Sequence, residues 1–142
     1  MKVSRVACLI IGASWFIAAS VLAAHHSSSG LDRNKAVTLT GVISELEWTN
    51  PHIRIHIDVK SEGKTENWTL GWAAVNAVTR SGMFKDTLKA GDQITAQVYL
   101  FATPPASAAS SLVAEAGCIS FAGRNFAAGY GPPCASTTES SK

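Results

Sequence analysis

Between Asn50-Pro51 and Gly63 the chain alternates so regularly that one backbone solution remains. Ile53, Ile55, Ile57 and Val59 are apolar while Arg54, His56, Asp58 and Lys60 are polar or charged. That period of two matches an extended strand with one buried face and one wet face. Its boundaries are equally readable. Thr49-Asn50-Pro51 is a turn signal, because the residue before proline is held extended and proline has no N–H for a ladder. Ser61-Glu62-Gly63-Lys64 reads as a hairpin turn into a third strand over Thr65 to Leu70, with Trp68, Leu70 and Trp72 on its buried face. Upstream, Val37, Leu39, Gly41 and Ile43 keep one phase, after which Leu46 and Trp48 carry the apolar character. A phase slip of that kind predicts a bulge near Ser44-Glu45, with Gly41 permitting a bend in a long first strand.

After the third strand the period changes. Ala74, Val75 and Val78 fall at helical spacing within Ala73 to Arg80, and Gly82 sits where a left-handed stop belongs. Leu88-Lys89-Ala90-Gly91-Asp92 predicts a turn, and Ile94, Ala96, Val98 and Leu100 predict a fourth strand. Thr103 to Ser111 reads as a loop. Leu112 to Ala114 and Cys118 to Phe121 read as a short final hairpin turned at Ala116-Gly117. The expected fold is therefore mainly β: a small five-stranded barrel of the oligonucleotide/oligosaccharide-binding (OB-like) type, with one short helix between strands 3 and 4. Another small barrel is the alternative. The expected layout is a signal peptide at 1–23, a flexible lead-in at 24–35, the barrel at 36–123 and a disordered tail at 124–142.

The amino terminus has the three parts of a secretory signal: Lys2 and Arg5, an uncharged apolar run from Val6 to Val21, and small residues at Ala23 and Ala24. An uncleaved anchor is the rival, since Val6 to Ala24 is 19 residues without charge. On either reading His25 onward is exported, to the periplasm or the medium, because Lys2 and Arg5 stay inside. Cleavage removes the anchor and two of the 12 basic residues, leaving ten against 10 acidic ones. A mature chain near zero charge lacks the basic surface that a nucleic-acid partner demands. Cys8 leaves with the signal. Cys118 and Cys134 remain, an even pair in an oxidising compartment, and predict a disulfide that pins the tail; no C-x-x-C spacing supports a thiolate metal or redox site.

Several segments together resemble a family of small exported bacterial proteins classed as domain of unknown function 6152. They are Ala24-His25-His26-Ser27, Asp32 to Lys35 with Val37 to Gly41, Glu47-Trp48-Thr49-Asn50-Pro51-His52, Leu88 to Asp92 and Phe121-Ala122-Gly123. The resemblance implies export and a compact β domain, and no activity. The two late cysteines and the long tail depart from the family's pattern.

The double histidine is the most suggestive chemistry. If cleavage follows Ala23, the new Ala24 amine, two backbone amides and the His26 imidazole can form the square-planar four-nitrogen set that suits Cu(II) or Ni(II). If cleavage follows Ala24, the amine and ring of His25 chelate together and another histidine completes the site. In both versions the metal expected is copper, held by Ala24, His25 and His26, with His52 as the nearest further candidate. The plainer alternative is two polar residues in a flexible lead-in. His56 reads as a solvent-face residue. Trp48, Asn50 and His52 form a second candidate set, a metal-free grip on a saccharide or an envelope protein partner, against which stands a simple turn with a tryptophan lid. A purely structural envelope component is the third class. No nucleophile elbow, phosphate loop, paired carboxylate motif or H-E-x-x-H is present, so a binding protein is expected and an enzyme is not.

Overall fold

A single long strand, β1 (Leu31–Glu47), serves both sides of the sheet. The computed structural model describes residues 30–102 and 112–135, with the chain dividing at Leu31 from what precedes it. The expected signal peptide, Ala24, His25 and His26 lie outside the described residues. The first part of β1 pairs with β4 (Gln93–Phe101), from Leu31 opposite Phe101 to Val42 opposite Gln93. The last part pairs with β2 (Arg54–Ser61), from Val42 opposite Asp58 to Glu47 opposite Arg54. Between Ile43 and Glu45 the register shifts, so Ser44 is the extra residue of the expected bulge. The shift converts the inward phase from Leu39 and Ile43 to Leu46. Gly41 lies at the bend, where a Cβ would come within 2.8 Å of the Asp58 carbonyl oxygen.

A two-residue turn with Glu62 and Gly63 at positive φ leads into β3 (Lys64–Gly71). Helix α1 (Val75–Arg80) follows, and β4 comes after it. Closure comes from β5 (Leu112–Phe121), antiparallel to β4 and parallel to β3 from Trp68 opposite Leu112 to Gly71 opposite Glu115. The circuit β1-β2-β3-β5-β4 is a closed five-stranded barrel with one short helix between β3 and β4, as the periodicity predicts.

Three boundaries differ from expectation. β5 is one continuous strand where a hairpin turned at Ala116-Gly117 was expected. Gly117 is its bulge: Gln97 faces Cys118 and Val98 faces Ala116, which carries the inward phase from Ala116 to Ile119. The final hairpin lies further on, where Ala122 and Gly123 at positive φ turn the chain into β6 (Arg124–Ala127), so the region read as tail opens with a strand. β1 likewise begins within the expected lead-in. Its Asp32 to Lys35 are exposed and bulged, with the Asn34 N–H donating to Asp32 Oδ1 at 3.1 Å, so no apolar period marks them.

Ile43, Ile53, Ile55, Ile57, Leu70, Ile94, Val98 and Ile119 fill the interior and are fully buried. Each such side chain stabilises by roughly 1.5–3 kcal/mol through removal from water. Val78 and Met83 bring α1 onto the same core. The helix ends in a Schellman arrangement, the Gly82 N–H donating to the Thr79 carbonyl and the Met83 N–H to that of Val78, with Gly82 at φ +91°. The Lys89–Asp92 turn docks on the β1 bulge: Gly91 N–H donates to the Ile43 carbonyl and Ile43 N–H to that of Asp92, both at 2.8 Å. Beyond β6, residues 128–134 form a strap across β5. Gly117 and Gly131 touch backbone to backbone, so a Cβ on either would overlap the other. The Cys118–Cys134 disulfide, expected from the cysteine pairing, fastens it.

Candidate functional site

The loop from Trp48 to Ile53 joins β1 to β2, and Asn50, His52 and Ile53 in it each make a defined hydrogen bond. Trp48 is half-buried against the core. The Asn50–Pro51 bond is cis. Asn50 Oδ1 accepts from the Val75 N–H at 3.2 Å, which caps α1 from a distance, since Ala74 at the helix start offers no side-chain cap. Ile53 then joins the sheet, its N–H donating to the Ala73 carbonyl and its carbonyl accepting from Trp72.

His52 stands exposed on this frame. Its Nδ1 lies 3.0 Å from the Trp72 carbonyl oxygen, which can only accept, so the proton sits on Nδ1. Nε2 is turned out, with no described residue hydrogen-bonded to it. A ring held through Nδ1–H by a backbone carbonyl is in the posture of a metal-binding histidine. Trp72 is itself fixed: its side chain is buried, and its indole N–H donates to the Ala128 carbonyl of the strap at 2.9 Å.

Glu115 is the charged neighbour. It sits on β5 between Gly71 of β3 and Tyr99 of β4. Its carboxylate occupies the space a side chain on Gly71 would take, with Oε2 2.6 Å from the position of a Cβ there. Burial pushes its carboxyl above the usual range, and the charge of nearby His52 works against that rise.

A second polar arrangement crosses the outer face of three strands. Glu47 Oε2 accepts from Arg54 Nη1 at 2.9 Å, and Glu47 Oε1 meets His56 Nε2 at 2.8 Å. Thr69 Oγ1 lies 3.1 Å from His56 Nδ1. The hydrogen bond from His56, with Arg54 adding to it, holds the Glu47 carboxyl below its ordinary range against a smaller opposing effect of burial.

Of the residues singled out from sequence, Trp48, Asn50 and His52 share one loop, and His52 has one ring nitrogen fixed on a backbone carbonyl while its other ring nitrogen is engaged by no described residue. Cys118 and Cys134 are joined. Ala24, His25 and His26 lie outside the described residues. Glu47, Thr69 and Glu115 escaped sequence reasoning, and His56 is more engaged than a plain solvent-face residue. The His56–Thr69 pairing was recoverable, since a two-residue turn at Glu62-Gly63 sets Ser61 against Lys64 and therefore His56 against Thr69. Among the described residues no three His, Cys, Asp or Glu side chains stand close enough to hold a metal ion, and no helix is long and apolar enough to cross a membrane.

The model of a family of unknown function, DUF6152, matches residues 15–104, more than half of the chain. The chain belongs to DUF6152. The matched span includes the double histidine, the Trp48–His52 loop, Glu47, His56 and Thr69, and it ends before Glu115 and the disulfide. No curated protein matches the chain.

Proposed function

We propose that this DUF6152 protein is exported to the periplasm or the medium and binds Cu(II) there without catalysing a reaction. The metal is held by the mature amino terminus: the Ala24 amine with His26, or the His25 amine and ring, according to the cleavage site. His52 is the ligand the barrel contributes. The supporting observation is its ring, fixed through Nδ1–H on the Trp72 carbonyl with Nε2 presented outward. The disulfide is in keeping with a compartment outside the cytoplasm. A metal-free grip by Trp48, Asn50 and His52 has less in its favour, since the Asn50 carbonyl is committed to α1 and Trp48 packs on the core.

Amino-terminal sequencing of the exported protein, followed by copper titration read by visible absorbance, tests this. A mature start at Ala24 or His25 and one equivalent of bound Cu(II) are expected, with affinity at least about tenfold weaker in His52→Ala for the His25 start, where another histidine must complete the site, and little changed for the Ala24 start, which already supplies four nitrogens. A start at Ser27 or later, or no absorbance change on adding copper, refutes it.

A further inference from the structure

The chain Glu47–His56–Thr69 takes no part in the copper reading, and its protons can be placed one after another. Glu47 is held as a carboxylate and can only accept, so His56 Nε2 carries the hydrogen of their 2.8 Å bond. In the neutral ring Nδ1 then has a lone pair, and the Thr69 hydroxyl 3.1 Å away is the donor to it. Arg54 grips the other Glu47 oxygen at 2.9 Å and keeps the carboxylate from swinging away. The order is hydroxyl, base and base-orienting carboxylate, the arrangement that activates a nucleophile. His56 and Glu47 remain 28% and 33% exposed, so a small substrate can reach the row.

We propose that Thr69 is a base-activated nucleophile that accepts the acyl group of small activated esters, with His56 as general base and Glu47 as its positioning residue. Thr69 Oγ attacks the ester carbonyl carbon while His56 Nδ1 takes the hydroxyl proton. The tetrahedral adduct collapses, the bond from carbon to the leaving oxygen breaks, and His56 returns the proton to that oxygen. The products are an ester on Thr69 and a free alcohol or phenol.

A merely structural cross-strand pair would support strand pairing and leave Thr69 inert. The test uses the oxidised, mature protein with p-nitrophenyl acetate and a chelator present, so that copper plays no part. Released p-nitrophenolate is followed, and peptide mass mapping locates the acetyl group. A burst of one equivalent with Thr69 acetylated is expected, retained in Thr69→Ser and absent in Thr69→Val. Acylation slowed by about a hundredfold or more is expected in His56→Gln, with Glu47→Gln slowed as well. Circular dichroism shows whether each variant keeps its fold. An unlabelled Thr69, acetylation confined to lysines or the amino terminus, or an unchanged burst in Thr69→Val overturns the proposal.

Discussion

Opening the Cys118–Cys134 link should cost the barrel a large share of its stability, by an amount that follows from the loop it closes. The cysteines are 16 positions apart. On the chain-entropy model a loop of about 17 residues restricts the unfolded chain by about 10.5 cal/mol/K, or about 3 kcal/mol at 25 °C. The loop spans the end of β5, all of β6 and the strap whose Ala128 carbonyl holds the Trp72 indole. Cys134→Ala is the appropriate change, since it leaves buried Cys118 in place. In urea the midpoint should fall by about 1–2 M, with a steeper slope because the unfolded chain without the link exposes more surface, and the reduced wild type should behave alike. By calorimetry the melting temperature should drop by about 12 °C or more. A loss below about 1 kcal/mol would refute the reasoning, because β6 and the strap would then unfold apart from the barrel they close.

Asn50→Ala should destabilise by about 1 kcal/mol in urea through loss of the cap on Val75, with hydrogen exchange rising first at the start of α1. Glu115 yields a pH effect with a definite sign. Its carboxyl lies above the ordinary range in the folded state, so between the ordinary and the raised value the folded protein holds the proton more tightly. Stability from this group is therefore present below the ordinary carboxyl range and lost as pH rises through the raised one. Glu115→Gln should be the more stable protein at neutral pH and lose that advantage in acid. Glu47, shifted the other way, stabilises above the ordinary range and loses this as pH falls, equally in both proteins, so their difference isolates Glu115.

How much of the molecule was legible depended on whether a feature lies within one alternating run. β2 was plain because its whole length is half-buried, and the β1 bulge was plain because a phase slip is visible without a partner. The hairpin turn even fixed which residues of β2 and β3 oppose each other. β5 misled because a buried glycine in a strand has the composition of a turn; Gly117 is required by the close pass of Gly131, which lies well beyond it in sequence. β6 and the first residues of β1 were missed since one carries little apolar surface and the other is solvent-exposed on a ribbon paired only with β4. Asn50 was recognised as special, yet its cap on a helix across a gap of 25 residues had no local mark. Glu115 joins the His52 neighbourhood only through the parallel β3–β5 contact, which requires the closed barrel.

The two ends of Trp72 tie separate events together. Its indole hangs from the strap and its carbonyl orients His52, so the covalent bond that secures the strap also governs how firmly that imidazole is aimed. A newly made chain with both thiols still reduced has the barrel sequence complete but the ring on a looser mount. Reducing that bond should therefore loosen the loop end, and thiol reagents in a preparation would blunt His52 without touching it.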